Sequence, residues 1–206
     1  MRKRNIVLAS CDQKYYENFS NTFEQSLKNL NQPYHIEICD TAPPSDWIDP
    51  KPRHIIGMSK TWYACKRYLI LPEMIEEHGG VFVSDIDVFF FKPIPFPETK
   101  IGFVKTSPKL HRSKWEQRGM HVMAGFFYCQ DIDIAIEIRN KIHELPKRWF
   151  VDQVAIHEVI KHEKSRTYFK NPSTTPEKIT NEDFALVPRG KNKISLKTKF
   201  VKERLL

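Results

Sequence analysis

The chain has 206 residues, of which 40% are apolar, 12% aromatic and 28% charged, with a formal net charge of +8. That length suits one domain with a real core, and the aromatic content excludes a disordered chain. No run of about 18 apolar residues occurs, which excludes a membrane-spanning helix, and the basic balance favours an anionic partner without choosing among nucleic acid, nucleotide, phosphosugar or anionic membrane.

Asn5 to Ser10, "NIVLAS", is a short apolar run ending in small residues and reads as a buried first strand. "YYENFSNTFEQSLKNL" follows with Phe19, Phe23 and Leu27 four apart, which is helical spacing. Tyr34 to Cys39 alternates and reads as a second strand. Strand–helix–strand within the first 40 residues opens an α/β fold. Four prolines in "DTAPPSDWIDPKPRH" make a loop. The next helix runs from a Ser59 N-cap to Gly79-Gly80, with Pro72 kinking it or starting a second segment. "VFVSDIDVFFF" reads as a strand broken by Asp85 and Asp87, and "KPIPFP" as its extended exit. Lys100 to Thr106 is a further strand, "SPKLHRSKWEQRG" a basic loop or short helix, and His121 to Gln130 a strand with a small Ala-Gly pair in its middle. Ile134, Ile138 and Ile142 mark a helix over Ile132 to Leu145, and a second one starts near Asp152. "FALVPRG" is a candidate last strand, and the closing "RGKNKISLKTKFVKERLL", with seven Lys or Arg and one Glu, reads as a solvated, flexible tail from about residue 189. No repeat or domain boundary appears, so residues 1–206 form one domain.

Cys11, Cys39, Cys65 and Cys129 show neither a CxxC pair nor Cys/His zinc spacing. Free thiols, and an N-terminal apolar stretch too short for a secretion signal, predict a cytoplasmic protein without a membrane anchor.

Two aspartates inside an apolar stretch need a reason, because Asp is a poor strand former and costly to bury as a charge. Residues i and i+2 of a strand point to one side, so Asp85 and Asp87 can converge at a strand end. Two such carboxylates repel unless a cation lies between them. Mg²⁺ and Mn²⁺ prefer oxygen ligands and bridge one or two carboxylates to substrate phosphates. Two solvated aspartates capping a strand end are the plainer alternative.

The context "GG-VFVS-DID-VFFFKPI" resembles the DxD segment of GT-A fold glycosyltransferases, closest to family 8 and to the mannosyltransferase and toxin-like group with a "GGxYxDxD" motif. The preceding helix is similar too, with Arg67-Tyr68 leading into Leu71-Pro72. "HVMAGFFYCQ" resembles the family strand where small residues, here Ala124 and Gly125, let the donor sugar approach the backbone. "WFVDQVAIHEVI" resembles the family helix start at which Asp152 and Gln153 face the sugar, with N-capping as the alternative role of Asp152. The resemblance spans about Lys60 to Glu158 and implies a single Rossmann-like α/β domain with a mixed, mostly parallel sheet flanked by helices.

It also implies a metal-dependent transferase that moves a sugar from a UDP- or GDP-sugar to an unidentified acceptor. Asp85 and Asp87 would hold Mn²⁺ or Mg²⁺ against the diphosphate, with Arg67 pairing with the phosphates or with the two carboxylates. Ala9, Ser10 and Cys11, at the carboxyl end of the first strand, would border the base, where open α/β sheets bind ligands. The family's C-terminal "HxxGxxKPW" is absent, leaving the third metal ligand open; Lys191 and Lys193 would contact the diphosphate directly. The resembled families are retaining, which makes Asp152 and Gln153 polar contacts to the sugar, whereas an inverting enzyme would use Asp152 as base. Two other classes fit less of the chain. A haloacid-dehalogenase phosphatase carries its strand–DxD near the N-terminus. A nucleic-acid-binding module suits the charge, but no helix-turn-helix, zinc or RNA-recognition signature is present.

Overall fold

The computed structural model describes residues 3–39, 43–44, 47, 55–188 and 193–200. Strand β1 (Ile6–Cys11) is buried along its whole length, as a continuous apolar run in a sheet covered on both faces should be. Asp12 then caps helix α1 (Gln13–Asn29) by accepting the Tyr15 N–H at 2.7 Å. Phe19, Phe23 and Leu27 bury one face of α1, and Asn31 takes the positive φ of 51° that turns the chain into β2 (Tyr34–Ile38). The proline-rich stretch after β2 lies largely outside the described residues.

Helix α2 (Ile55–Leu69) begins four residues before Ser59, which therefore stands inside the helix and not at its N-cap. The chain breaks at Ile70 and restarts as α3 (Leu71–His78) with Pro72 in the first turn, where its missing N–H costs nothing. Gly79, at φ 91°, ends α3 and feeds β3 (Val81–Ser84). The expected long strand stops at Ser84. After a turn at residues 85–88 the chain enters a second sheet as β4 (Phe89–Phe90). The remaining elements are β5 (Ile101–Lys105), α4 (Lys114–Gly119), β6 (Val122–Cys129), α5 (Ile132–Glu144), α6 (Val151–Ile160), β7 (Arg166–Phe169), β8 (Ala185–Leu186) and α7 (Lys193–Phe200). Residues 193–200 of the basic tail are thus helical.

The main sheet has six strands in the order β2-β1-β3-β6-β5-β7. β1 pairs in parallel with β2 and β3, and β5 with β7; β6 alone runs against its neighbours, so the sheet is mostly parallel as expected. β4 and β8 form a small antiparallel sheet of their own. Alternation along the strands divides two cores. Leu8, Val83 and Phe127 face α2, α3, α5 and α6, with Tyr68, Ile138 and Ile156. Val7, Phe82 and Phe126 face α1 and the small sheet, with Phe23, Phe90 and Leu186. All four cysteines are free and buried, and no described helix is long and apolar enough to cross a membrane.

Phe82 is the hub of the second core. Its ring centroid lies 5.0 Å from Phe126, 5.8 Å from Phe169, 6.0 Å from Phe90 and 6.1 Å from Phe184. It joins β3, β4, β6, β7 and the approach to β8, so its removal opens a cavity that no single element can collapse into. Phe82→Ala should lower unfolding stability by about 3–5 kcal/mol, read as a drop in the urea midpoint with an unchanged slope.

Candidate active site

β1 and β3 end side by side, at Cys11 and Ser84, and the antiparallel β6 begins at the same edge of the sheet. A cleft of about 330 Å³ opens there, lined by residues that include Ser10, Cys11, Asp12, Tyr15, Tyr63, Arg67, Asp85, Asp87, Trp149 and Lys193. Carboxyl strand ends are where open α/β sheets leave room for a ligand, because the adjacent connections diverge.

Arg67 organises the cleft floor. It is 2% exposed on α2. Its Nη1 donates to the Ser84 carbonyl at 2.8 Å and to Asp85 Oδ1 at 2.6 Å, and its Nη2 lies 3.8 Å from Asp152 Oδ2. Its own backbone N–H donates to Ser10 Oγ at 3.2 Å, and that hydroxyl donates to the Tyr63 carbonyl, locking α2 onto the end of β1. Burial works against the guanidinium charge. The Asp85 carboxylate, with Asp152, more than offsets it and holds the group above its ordinary pKa.

The two aspartates sit in a tight turn, closed by the Val88 N–H on the Asp85 carbonyl at 3.2 Å, not in a regular strand. Their surroundings differ. Asp85 is half-exposed on its side chain and pairs with Arg67. Its carboxylate lies where a side chain on residue 125 would be: a Cβ on Gly125 would stand 2.1 Å from Asp85 Oδ2. Asp87 is buried and pairs with Lys193 of α7, whose ammonium also lies over the Tyr15 ring. Burial and the neighbouring Asp85 charge raise the Asp87 carboxyl pKa against the opposing pull of Lys193. Asp152 is raised by burial as well, with Arg67 pulling it down. It is the second residue of α6, with Phe150 at the cap in a left-handed conformation, and its Oδ1 accepts the Gln153 N–H at 2.8 Å.

The cleft therefore gathers Ser10, Cys11, Arg67, Asp85 and Asp87, with Asp152 behind Arg67. Ala9 is buried in the core under the sheet. Ala124 lies in the opposite core, and its carbonyl accepts the Tyr68 hydroxyl at 2.5 Å. Gln153 packs toward Gly119 of α4. Lys191 lies outside the described residues, and Lys193, two positions on, reaches Asp87. Asp12, Tyr15, Tyr63 and Trp149 complete the lining. Asp12 and Tyr15 follow β1 directly, so the strand-end rule that selects Ser10 and Cys11 also reaches them. Nothing local in the sequence marks Trp149.

The fold is that of glycosyltransferases. The chain superposes over 97% of its length on a glycosyltransferase involved in the glycosylation of the major capsid of PBCV-1, with a TM-score of 0.61, 11% identity and 99% of that chain covered. It also superposes over 93% of its length on the bifunctional glycosyltransferase WbbM in its apo form, at a TM-score of 0.58 and 11% identity, spanning 46% of that chain. No protein-family model and no curated protein sequence matches the chain.

Arg67→Ala would leave Asp152 buried without its cation and free Asp85 from the end of β3. The expected loss is about 3–5 kcal/mol of stability, and Asp152→Asn in the same chain should restore much of it, as a double-mutant cycle in urea would show. A raised carboxyl pKa favours the folded state below the ordinary aspartate range, and that contribution disappears as pH rises through the raised value. Melting curves of wild type and Asp87→Asn should therefore diverge above the ordinary aspartate range, with the asparagine variant gaining on the wild type as pH rises.

Proposed function

We propose that the protein is a glycosyltransferase that takes its sugar from a nucleoside-diphosphate sugar, UDP- or GDP-linked, and passes it to an acceptor with retention of anomeric configuration. The observation that carries this reading is the Asp85-Ile86-Asp87 turn, gripped by a buried arginine and set at the floor of a strand-end cleft on a glycosyltransferase fold.

The charges of the cleft favour a divalent cation. Its lining holds Asp12, Asp85 and Asp87 against Lys60, Arg67 and Lys193, so the formal charges cancel. A diphosphate brings negative charge into that balance. The donor set fits Mn²⁺ or Mg²⁺. Asp85 and Asp87 offer hard oxygens, and their ion pairs run through Asp85 Oδ1 to Arg67 and through Asp87 Oδ2 to Lys193. No group of three His, Cys, Asp or Glu suited to a metal occurs among the described residues. The two aspartates would thus be the protein's share, with phosphate oxygens and water as the rest, which is how Mg²⁺ is commonly held. When bound, the cation supplies charge stabilisation to the departing nucleoside diphosphate.

The chain's own residues do the positioning. Arg67 keeps Asp85 fixed from beneath. Ser10, Cys11 and Asp12 border the space for the nucleoside, and Tyr15 and Tyr63 offer rings beside it. Lys193 brings an ammonium to the diphosphate position from the C-terminal helix. Asp152, buried against Arg67, acts through that residue on the sugar end of the cleft.

A ligand that binds only the folded state raises its melting temperature. With Mn²⁺ and millimolar UDP or GDP, the wild type should melt several degrees higher than with either component alone. Asp87→Ala should lose that gain. The absence of any shift with UDP, GDP and their sugars in the presence of Mn²⁺ or Mg²⁺ would overturn the reading.

A further inference from the structure

Trp149 stands at the rim of the cleft with about half of its surface, 52%, exposed. Of the large aromatic side chains lining the cleft it is the most exposed, so its ring is the one most open to a ligand at the mouth. The backbone around it is fixed at some cost. Phe150, the next residue, has φ 74° and ψ 10°, a left-handed conformation that bulky side chains avoid. Gly119 accommodates it, since a Cβ there would stand 3.1 Å from the Phe150 Cβ. The Trp149 carbonyl accepts the Trp115 indole N–H at 2.7 Å, and the Val151 N–H closes the turn on the Arg148 carbonyl at 3.0 Å. Strain of this kind persists where the surroundings over-determine it, and here it holds one indole at the cleft mouth.

The ground beside Trp149 is basic. The guanidinium groups of Arg118 and Arg148 lie over the Trp115 ring, at 5.5 and 6.0 Å from its centre. Residues 105–118 carry Lys105, Lys109, Arg112, Lys114 and Arg118 against the single acid Glu116. Glu116 is engaged by Arg112 and by the Ser113 cap, and Arg118 by Glu158. Lys109, Lys114 and Arg148 form no ion pair among the described residues. An exposed ring beside uncompensated cations matches a saccharide that is also an anion. The axial C–H face of a pyranose lies against the electron-rich face of an indole, while carboxylate, sulfate or phosphate substituents meet Lys and Arg.

We propose that Trp149 and the adjoining ridge of Arg148, Trp115 and Lys114 form the acceptor subsite, and that the acceptor is an acidic glycan. Trp149 stacks on the receiving sugar and sets its position over the cleft; the ridge selects for negative charge on the following units. This rests on the glycosyltransferase reading, and the two can fail separately because the donor is tested by nucleotide-dependent melting and the acceptor by glycan binding without nucleotide.

The test is binding of the full chain to immobilised oligosaccharides, comparing neutral glycans with uronate-containing, sialylated and phosphorylated ones, with single-stranded DNA as a separate arm. Acidic glycans should bind best and weaken as salt rises. Trp149→Ala should weaken that binding about tenfold or more, whereas Trp149→Phe, which keeps a ring, should stay within about threefold of wild type. Arg148→Glu should reduce the preference for acidic over neutral glycans. Circular dichroism of each variant confirms that it is folded. Failure to bind any glycan, equal binding by Trp149→Ala, or a preference for the oligonucleotide over every glycan would overturn the proposal. If glycans bind as expected and no nucleotide stabilises the protein, the donor reading falls and the saccharide site stands.

Discussion

A guanidinium with almost no access to water is the constraint around which the rest of this site is arranged. Arg67 joins α2, the end of β3 and the start of α6, three elements far apart in sequence. Burying that charge is unfavourable by itself, and its Nε has no hydrogen-bond partner among the described residues. It is retained in a position where two carboxylates and a backbone carbonyl surround its other nitrogens. Buried ion pairs of this type contribute little net stability compared with a packed apolar group, yet they define geometry, because breaking one partner leaves a charge stranded. The geometry defined here is the direction of Asp85.

The two aspartates of the turn, one residue apart, have been given different electrostatic environments. Asp85 meets a guanidinium that cannot leave, while Asp87 meets an ammonium on a flexible stem from the C-terminal helix. One pair is structural in character and the other exchangeable. On the proposed reading, in which a nucleoside diphosphate enters and leaves the cleft, that division is useful: a fixed cation maintains the floor, and an adjustable one answers the ligand. Burial and the Asp85 charge raise the Asp87 carboxyl against the pull of Lys193, so its charged form is held at some cost.

Much of the architecture was legible in the sequence because its signals are local. β1 and β3 announce themselves as apolar runs, α1 and α5 by helical spacing, and the pair of aspartates by their conflict with the strand around them. The limits are equally physical. β4 reads as a continuation of β3, since both are apolar; only the pairing of Phe89 and Phe90 with Leu186 and Ala185 assigns it to another sheet. β7 is a short edge strand with exposed Tyr168, and its partner β5 is over 60 residues away. In the site, Asp85, Asp87 and Arg67 were visible by motif. Gly125 was visible as a small residue, but the group its missing side chain admits is the Asp85 carboxylate. Asp152 resembles a cap in sequence and lies two positions past it, because Phe150 takes the capping place with a backbone angle no pattern predicts for phenylalanine. Trp149 depends on a hydrogen bond to Trp115, which is likewise non-local.

The four free cysteines give the molecule an internal clock. All are shielded from solvent, and burial lifts the thiols of Cys11 and Cys129 up to about 12, so neither presents a thiolate at neutral pH while the chain is folded. They are also distributed: Cys11 ends β1, Cys39 follows β2, Cys65 is in α2 and Cys129 ends β6. A thiol reagent in solution thus meets Cys39, Cys65 and Cys129 only when their own elements open, whereas Cys11 also borders the cleft. The order in which the three enclosed thiols react is a record of how this fold comes apart, taken without engineering a probe site into the protein.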